Sequence, residues 1–196
     1  MLGHDDQTLK NKKSLIKQRS SQEQATRDVI LEPAIAQSPV TRRILVLGLG
    51  NTLLTDEGVG VHVIEELARN DPDALQADYM DGGTMSFTLA GPIEEAAALI
   101  VVDTAQLDAA PGTVQVFEGE AMDDFIATGK KSSVHEVSLN DLLAIARLED
   151  NLPARRALIG IQPADFDWGS FPTAPVAAAI PLACRAVEQL IARWQA

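Results

Sequence analysis

A three-layer α/β/α sandwich with a twisted, mostly parallel five-stranded sheet carrying one antiparallel strand is the fold class this sequence predicts. Three observations carry it. The runs Ile44–Leu49 and Ala97–Val102 are continuously apolar, as strands are when helices cover both faces of a sheet. Stretches of helical period alternate with these runs, the pattern of strand-to-helix crossovers. Only nine residues separate Asp103 from Thr113, across Pro111-Gly112, a gap too short for a helical crossover, so one strand runs antiparallel to its predecessor.

Taken in order, Ile44–Leu49 is the first strand, and Val59–Arg69 follows as a helix with Val59, Val63, Ile64 and Leu67 on one face. A weaker strand over 75–80 leads to Asp81-Gly82-Gly83-Thr84, and 85–90 reads as a short helix stopped by Gly91-Pro92. Ala97–Val102 is the central strand and closes on Asp103, and Thr113–Glu118 is the reversed one. Ser138 is a candidate N-cap for a helix to Leu148, with Leu139, Leu142, Leu143 and Ala146 as its apolar stripe. Ala157–Ile161 supplies the last strand. A terminal helix over 176–194 keeps Val176, Ile180, Ala183, Val187, Leu190 and Ile191 at helical spacing around Pro181.

With 196 residues, 46% of them hydrophobic, the chain can bury one good core, and a single domain over 42–196 is expected. Residues 1–41 are rich in Lys, Gln, Ser and Arg and cannot offset their ordering entropy by burial, so they read as a disordered N-terminal extension. One cysteine, Cys184, leaves no internal disulfide and no cysteine-cluster metal site. No apolar stretch near the length of a membrane span and no secretory signal is expected, which points to the cytoplasm. Residues 1–43 hold eight Lys/Arg against five Asp/Glu, leaving eight against 23 in 44–196, a balance of −15 within an overall −12. An acidic surface of this kind repels nucleic acid and anionic membrane and suits a basic protein partner or a cation, although solubility alone is the commoner reason for it.

The segment from Gly48 to Gly60, Gly-Leu-Gly-Asn-Thr-Leu-Leu-Thr-Asp-Glu-Gly-Val-Gly, leaves the first strand as a phosphate loop would. A dinucleotide fingerprint would need a third glycine at Leu53, and Asp56 and Glu57 stand where phosphate needs bare N–H groups, so no nucleotide is expected. Ligand sites in open sheets of this kind form beyond the carboxyl ends of parallel strands. Glu57 and Asp103 reach that position from two different strands, and His135, in a loop entering a helix, is a third candidate. Each has a duller reading: Asp56 or Glu57 as the cap of the following helix, Asp103 as a turn residue, His135 as a solvated loop histidine. Of the other two histidines, His4 lies in the extension and His62 beside Glu65 and Glu66. No His-Glu-x-x-His, no Gly-x-Ser-x-Gly and no exposed cysteine is present, which disfavours a zincin, serine or cysteine protease. Two carboxylates with one histidine suit nickel, zinc or cobalt without distinguishing them.

Five motifs in order, namely Ile44–Asn51 with Thr55-Asp56-Glu57-Gly58-Val59-Gly60, Asp81-Gly82-Gly83-Thr84, the strand-end Asp103, Pro111-Gly112-Thr113 and Ser133–Leu139, resemble the maturation endopeptidases of nickel-iron hydrogenases. The resemblance implies an endopeptidase, placed among the aspartic-type enzymes, that removes a C-terminal extension from the precursor of the hydrogenase large subunit after nickel insertion. It implies further that Glu57, Asp103 and His135 bind the metal, and that the nickel arrives with the substrate. Catalysis would then fall to Asp103 and Glu57, with Asp56 as a supporting or capping group, and the sequence leaves open which carboxylate takes the proton. The expected working form is a monomer. A non-catalytic nickel-precursor chaperone on the same fold is the alternative. The long extension departs from the family pattern, and 162–172 follows it only loosely. Phe166, Trp168 and Phe171 form there either an exposed patch for docking the precursor or a set of rings folded onto the core.

Overall fold

The computed structural model describes residues 43–71, 77–84, 86–129 and 138–196. The expected extension 1–41 and the candidate ligand His135 lie outside these residues. Five strands form one sheet in the order β2-β1-β3-β5-β4: β1 (Ile44–Leu49), β2 (Asp78–Gly83), β3 (Ala98–Thr104), β4 (Val114–Glu118) and β5 (Arg155–Ile161). All neighbours run parallel except β4, which is antiparallel to β5.

Strand alternation sorts the core into two layers. Val46, Ile100, Val102, Ile159 and Ile161 face α1 (Val59–Asn70) and α5 (Ala174–Gln195). Leu45, Leu47, Leu99, Val101 and Leu158 face α2 (Ala90–Glu95), α3 (Glu120–Ala127) and α4 (Leu139–Leu148). The chain leaves β1 toward β2 on one side and returns past β1 to β3 on the other, so strand order reverses between β1 and β3. In open sheets the ligand crevice belongs at such a point, beyond the carboxyl ends of the two strands.

Several expectations are corrected in detail. The second strand is Asp78–Gly83, shifted toward the Asp81-Gly82-Gly83 motif. Gly91-Pro92 does not stop a helix. A 3-10 turn, Phe87–Leu89, leads into α2, and Pro92 sits in its first turn, where a missing N–H removes no intrahelical bond. The reversed strand has the expected direction relative to β3 but is hydrogen-bonded to β5. Helix α3 lies where no element was expected, although Met122 and Ile126 are spaced to share its buried face. Ser138 caps α4 as expected, within a capping box closed by Asp141.

Contrary to the expectation that no stretch would suit a membrane span, α5 is long and apolar enough, with 22 residues and a mean hydropathy of 1.3 in its most apolar window. Its apolar stripe of Val176, Ala179, Ala183, Val187, Leu190 and Ile191 is packed into the core of this domain.

Two glycines set the geometry at the mouth of the crevice. A Cβ on Gly60 would lie 2.3 Å from the carbonyl oxygens of both Leu49 and Val102, so the first turn of α1 rests directly on the backbones of β1 and β3. Gly50 has φ of +130° and carries the backbone of Glu57 against it, since a Cβ there would fall 1.7 Å from the Glu57 carbonyl oxygen. Gly50→Ala is therefore expected to destabilise the domain by about 2–3 kcal/mol and to displace Glu57. Thermal unfolding and a cleavage assay check both effects, and near-wild-type values in both would contradict this packing.

Candidate active site

Between β1 and α1 the chain inserts a 3-10 turn, Thr55–Gly58, that carries the acidic pair Asp56-Glu57. The Glu57 N–H donates to the Leu54 carbonyl at 2.8 Å, and the Gly50 N–H donates to the Gly83 carbonyl at 2.8 Å, tying this loop to the end of β2. The insertion lengthens the loop beyond the turn of a dinucleotide fingerprint. The close approach of helix to strand is made at Gly60, ten residues beyond Gly50, and two carboxylates occupy the interval.

The adjacent acids have different work. Asp56 is fully buried and accepts four hydrogen bonds: from the N–H groups of Ala164 (2.7 Å), Asp165 (3.0 Å) and Thr173 (2.6 Å), and from the Thr173 hydroxyl (3.0 Å). The clamp is mutual, because the Asp56 N–H and the Thr55 hydroxyl both donate to the Asp165 carbonyl, at 3.3 and 2.9 Å. Thr173 is the N-cap residue of α5, so Asp56 ties the start of the terminal helix to the turn that holds Glu57. The reading of Asp56 or Glu57 as the cap of the following helix is corrected: the N-cap of α1 is Gly58, with no side-chain cap bond.

Glu57 is also buried, and its carboxyl holds its proton more tightly than an ordinary glutamate, first because of burial and second because of the negative charge of Asp103. Asp103, at the end of β3, is buried too, and one of its oxygens accepts the Thr104 N–H at 2.8 Å. The structure thus brings Glu57 and Asp103 into electrostatic contact at the crevice. Among the described residues no cluster of three metal-ligating groups forms, so this part of the site is a carboxylate pair.

His62 and Cys184, both disfavoured by the sequence, have other surroundings. His62 lies on α1 with its Nδ1 3.4 Å from the Glu65 carboxylate. Cys184 is buried on α5, and burial, then the charges of Glu66 and Glu188, push its thiol up to about 11, which leaves it without nucleophilic character at neutral pH.

A family model described as "HycI: Hydrogenase maturation protease" matches residues 61–190. The chain belongs to the hydrogenase maturation protease family. Family membership makes it a hydrolase of the endopeptidase class, and the matched stretch contains Asp103 and His135, with Glu57 just ahead of it. The hydrogenase expression/formation protein HupD of Rhizobium leguminosarum bv. viciae is 36% identical over 157 residues, covering 80% of this chain and 77% of that protein. Among solved structures, the hydrogenase maturating endopeptidase HybD from E. coli superposes with a TM-score of 0.67 at 31% identity, covering 77% of this chain and 93% of that one. The [NiFe] hydrogenase maturation protease HybD from Thermococcus kodakarensis gives 0.61 at 25% identity, covering 76% and 99%. The mixed five-stranded sheet between helices is thus the fold of these proteases.

Asp56, expected as a supporting or capping group, holds a partner loop that the sequence did not name. Its position in a glycine-bounded turn beside Glu57 was visible, but nothing local names a receiving loop more than 100 residues away.

Proposed function

We propose that this family member removes the C-terminal extension from the nickel-loaded precursor of a nickel-iron hydrogenase large subunit, reading the nickel in the substrate as its recognition element. The observation that carries the proposal is the buried Glu57–Asp103 pair at the strand-order reversal. Two buried carboxylates in electrostatic contact repel each other, and a divalent cation brought by the substrate relieves that repulsion. An empty precursor offers no such relief, so metal occupancy becomes binding affinity. His135 is the third donor that the family resemblance assigns. Once the precursor is engaged, one carboxylate of the pair accepts the proton of an attacking water, which makes the chemistry aspartic-type in its base and metal-dependent in its substrate.

Incubation of nickel-loaded and nickel-free precursor with the protein, followed by mass spectrometry, tests the proposal. Loaded precursor should lose the mass of its extension, and empty precursor should stay intact. Asp103→Asn and His135→Ala should slow cleavage sharply, and undiminished cleavage by both would remove them from the site. Precursor that is bound but never cut, even when loaded, would favour the chaperone reading instead.

A further inference from the structure

The loop between β5 and α5 holds two aromatic rings out in water: Trp168 is 78% exposed and Phe171 82%, with Leu53 of the neighbouring loop 57% exposed. Of the two readings open for these rings, exposure holds for Trp168 and Phe171, while Phe166 is half-buried. The loop is held firmly. Leu54 and Trp168 form an antiparallel bridge, the Gly169 N–H donates to the Leu53 carbonyl at 3.0 Å, and the Asp56 clamp fixes Ala164, Asp165 and Thr173 on either side. Large rings presented on a pre-ordered backbone lose little entropy on docking, which is the character of interface anchors.

The surroundings are acidic. Exposed Asp165 and Asp167, with Gln106, Pro163, Ala164 and Phe166, line an open groove of about 500 Å³ beside the rings. No lysine or arginine occurs in 44–68 or in 157–184, the two stretches that build this surface and the Glu57 turn. A second copy of the domain, with its own balance of −15 over 44–196, is poorly matched to such a face.

We infer that Leu53, Trp168 and Phe171, with the Asp165–Asp167 groove, form a docking surface for a segment of the precursor that carries apolar side chains together with lysine or arginine. The inference rests on the endopeptidase reading above for the identity of the partner. The apolar anchors supply affinity, and the acidic rim supplies selection and faster encounter. Because Asp56 belongs both to the clamp on this loop and to the turn of Glu57, a precursor seated here lies next to the carboxylate pair.

The Asp165 Oδ1 accepts the Phe166 N–H at 2.8 Å, and the Asp167 Oδ1 accepts the Trp168 N–H at 3.0 Å. Asparagine preserves both acceptors, so the double variant Asp165→Asn/Asp167→Asn removes charge and keeps the loop. Binding of nickel-loaded large-subunit precursor is measured by calorimetry at low and high salt, beside kcat and KM for its cleavage. Trp168→Ala and Phe171→Ala should each weaken binding about tenfold or more, raising KM with kcat held. The double asparagine variant should bind several-fold more weakly at low salt and match the wild type at high salt. Wild-type affinity in all three variants overturns the inference, as does a wild-type dimer that Trp168→Ala dissolves. A wild type that binds the precursor but never cuts it defeats the endopeptidase reading alone, and the same affinities still decide the docking surface. A wild type that does not bind the precursor defeats both.

Discussion

Asp56→Ala is expected to lower the stability of the domain by about 3–5 kcal/mol, roughly 1 kcal/mol for each of four donors left without an acceptor. For a chain of this size that corresponds to a fall in melting temperature of roughly 10 °C. The reason lies in the donors left behind. Ala164, Asp165 and Thr173 each present a backbone N–H to this one carboxylate, and the Thr173 hydroxyl presents a fourth donor. Alanine leaves them without an acceptor unless the loop opens to water, which unfastens α5 at its N-terminus. Asn is no conservative replacement. It offers one oxygen where two accept, and it turns an NH₂ toward a site already crowded with N–H groups. Asp56→Asn should therefore fall between alanine and the wild type, and amide hydrogen exchange should report lost protection at Thr173 in both variants. A melting temperature within 2 °C of the wild type for Asp56→Ala would mean that the clamp carries little of the fold's stability.

The split between what the sequence discloses and what it conceals follows the range of the interactions involved. β1, β3, α1, α4 and α5 are legible because each declares itself locally, by an unbroken apolar run or a helical stripe that the core then uses. Glu57 and Asp103 are legible as candidates for the same reason, since each follows an apolar strand at the end where open sheets place their ligands. Their approach to each other was legible too, since a doubly wound order sets β1 beside β3. The neighbour of β4 was hidden: a short gap after β3 fixes direction, while pairing with β5 is a long-range outcome. Gly91-Pro92 misled because the same dipeptide ends a helix or sits in its first turn, depending on where the helix begins. The partners of Asp56 were the deepest omission, for they lie 108 to 117 positions away.

Glu57→Gln is expected to act in the opposite sense to Asp56→Ala, abolishing function while making the fold more stable. Burial and the facing charge of Asp103 raise the Glu57 pKa above its ordinary value of 4.5. The folded state therefore holds this proton more tightly than the unfolded chain does. The stability attached to the protonated form is fully present below the unfolded pKa and is lost as the pH rises through the folded one. Charging this carboxyl inside the fold is disfavoured, and a neutral amide of the same shape removes that charge. Glu57→Gln should melt above the wild type at pH 7 to 8, and the difference should narrow as the pH falls toward the ordinary glutamate value of 4.5. Cleavage of loaded precursor should meanwhile fall by about 10²–10⁴-fold. Gains of stability that abolish activity are characteristic of groups held in an unfavourable state for function. Melting curves across pH, run beside the processing assay, make the comparison. A drop in melting temperature at neutral pH would show Glu57 to be a structural anchor like its neighbour, and the carboxylate pair would lose its claim to be the site of reaction.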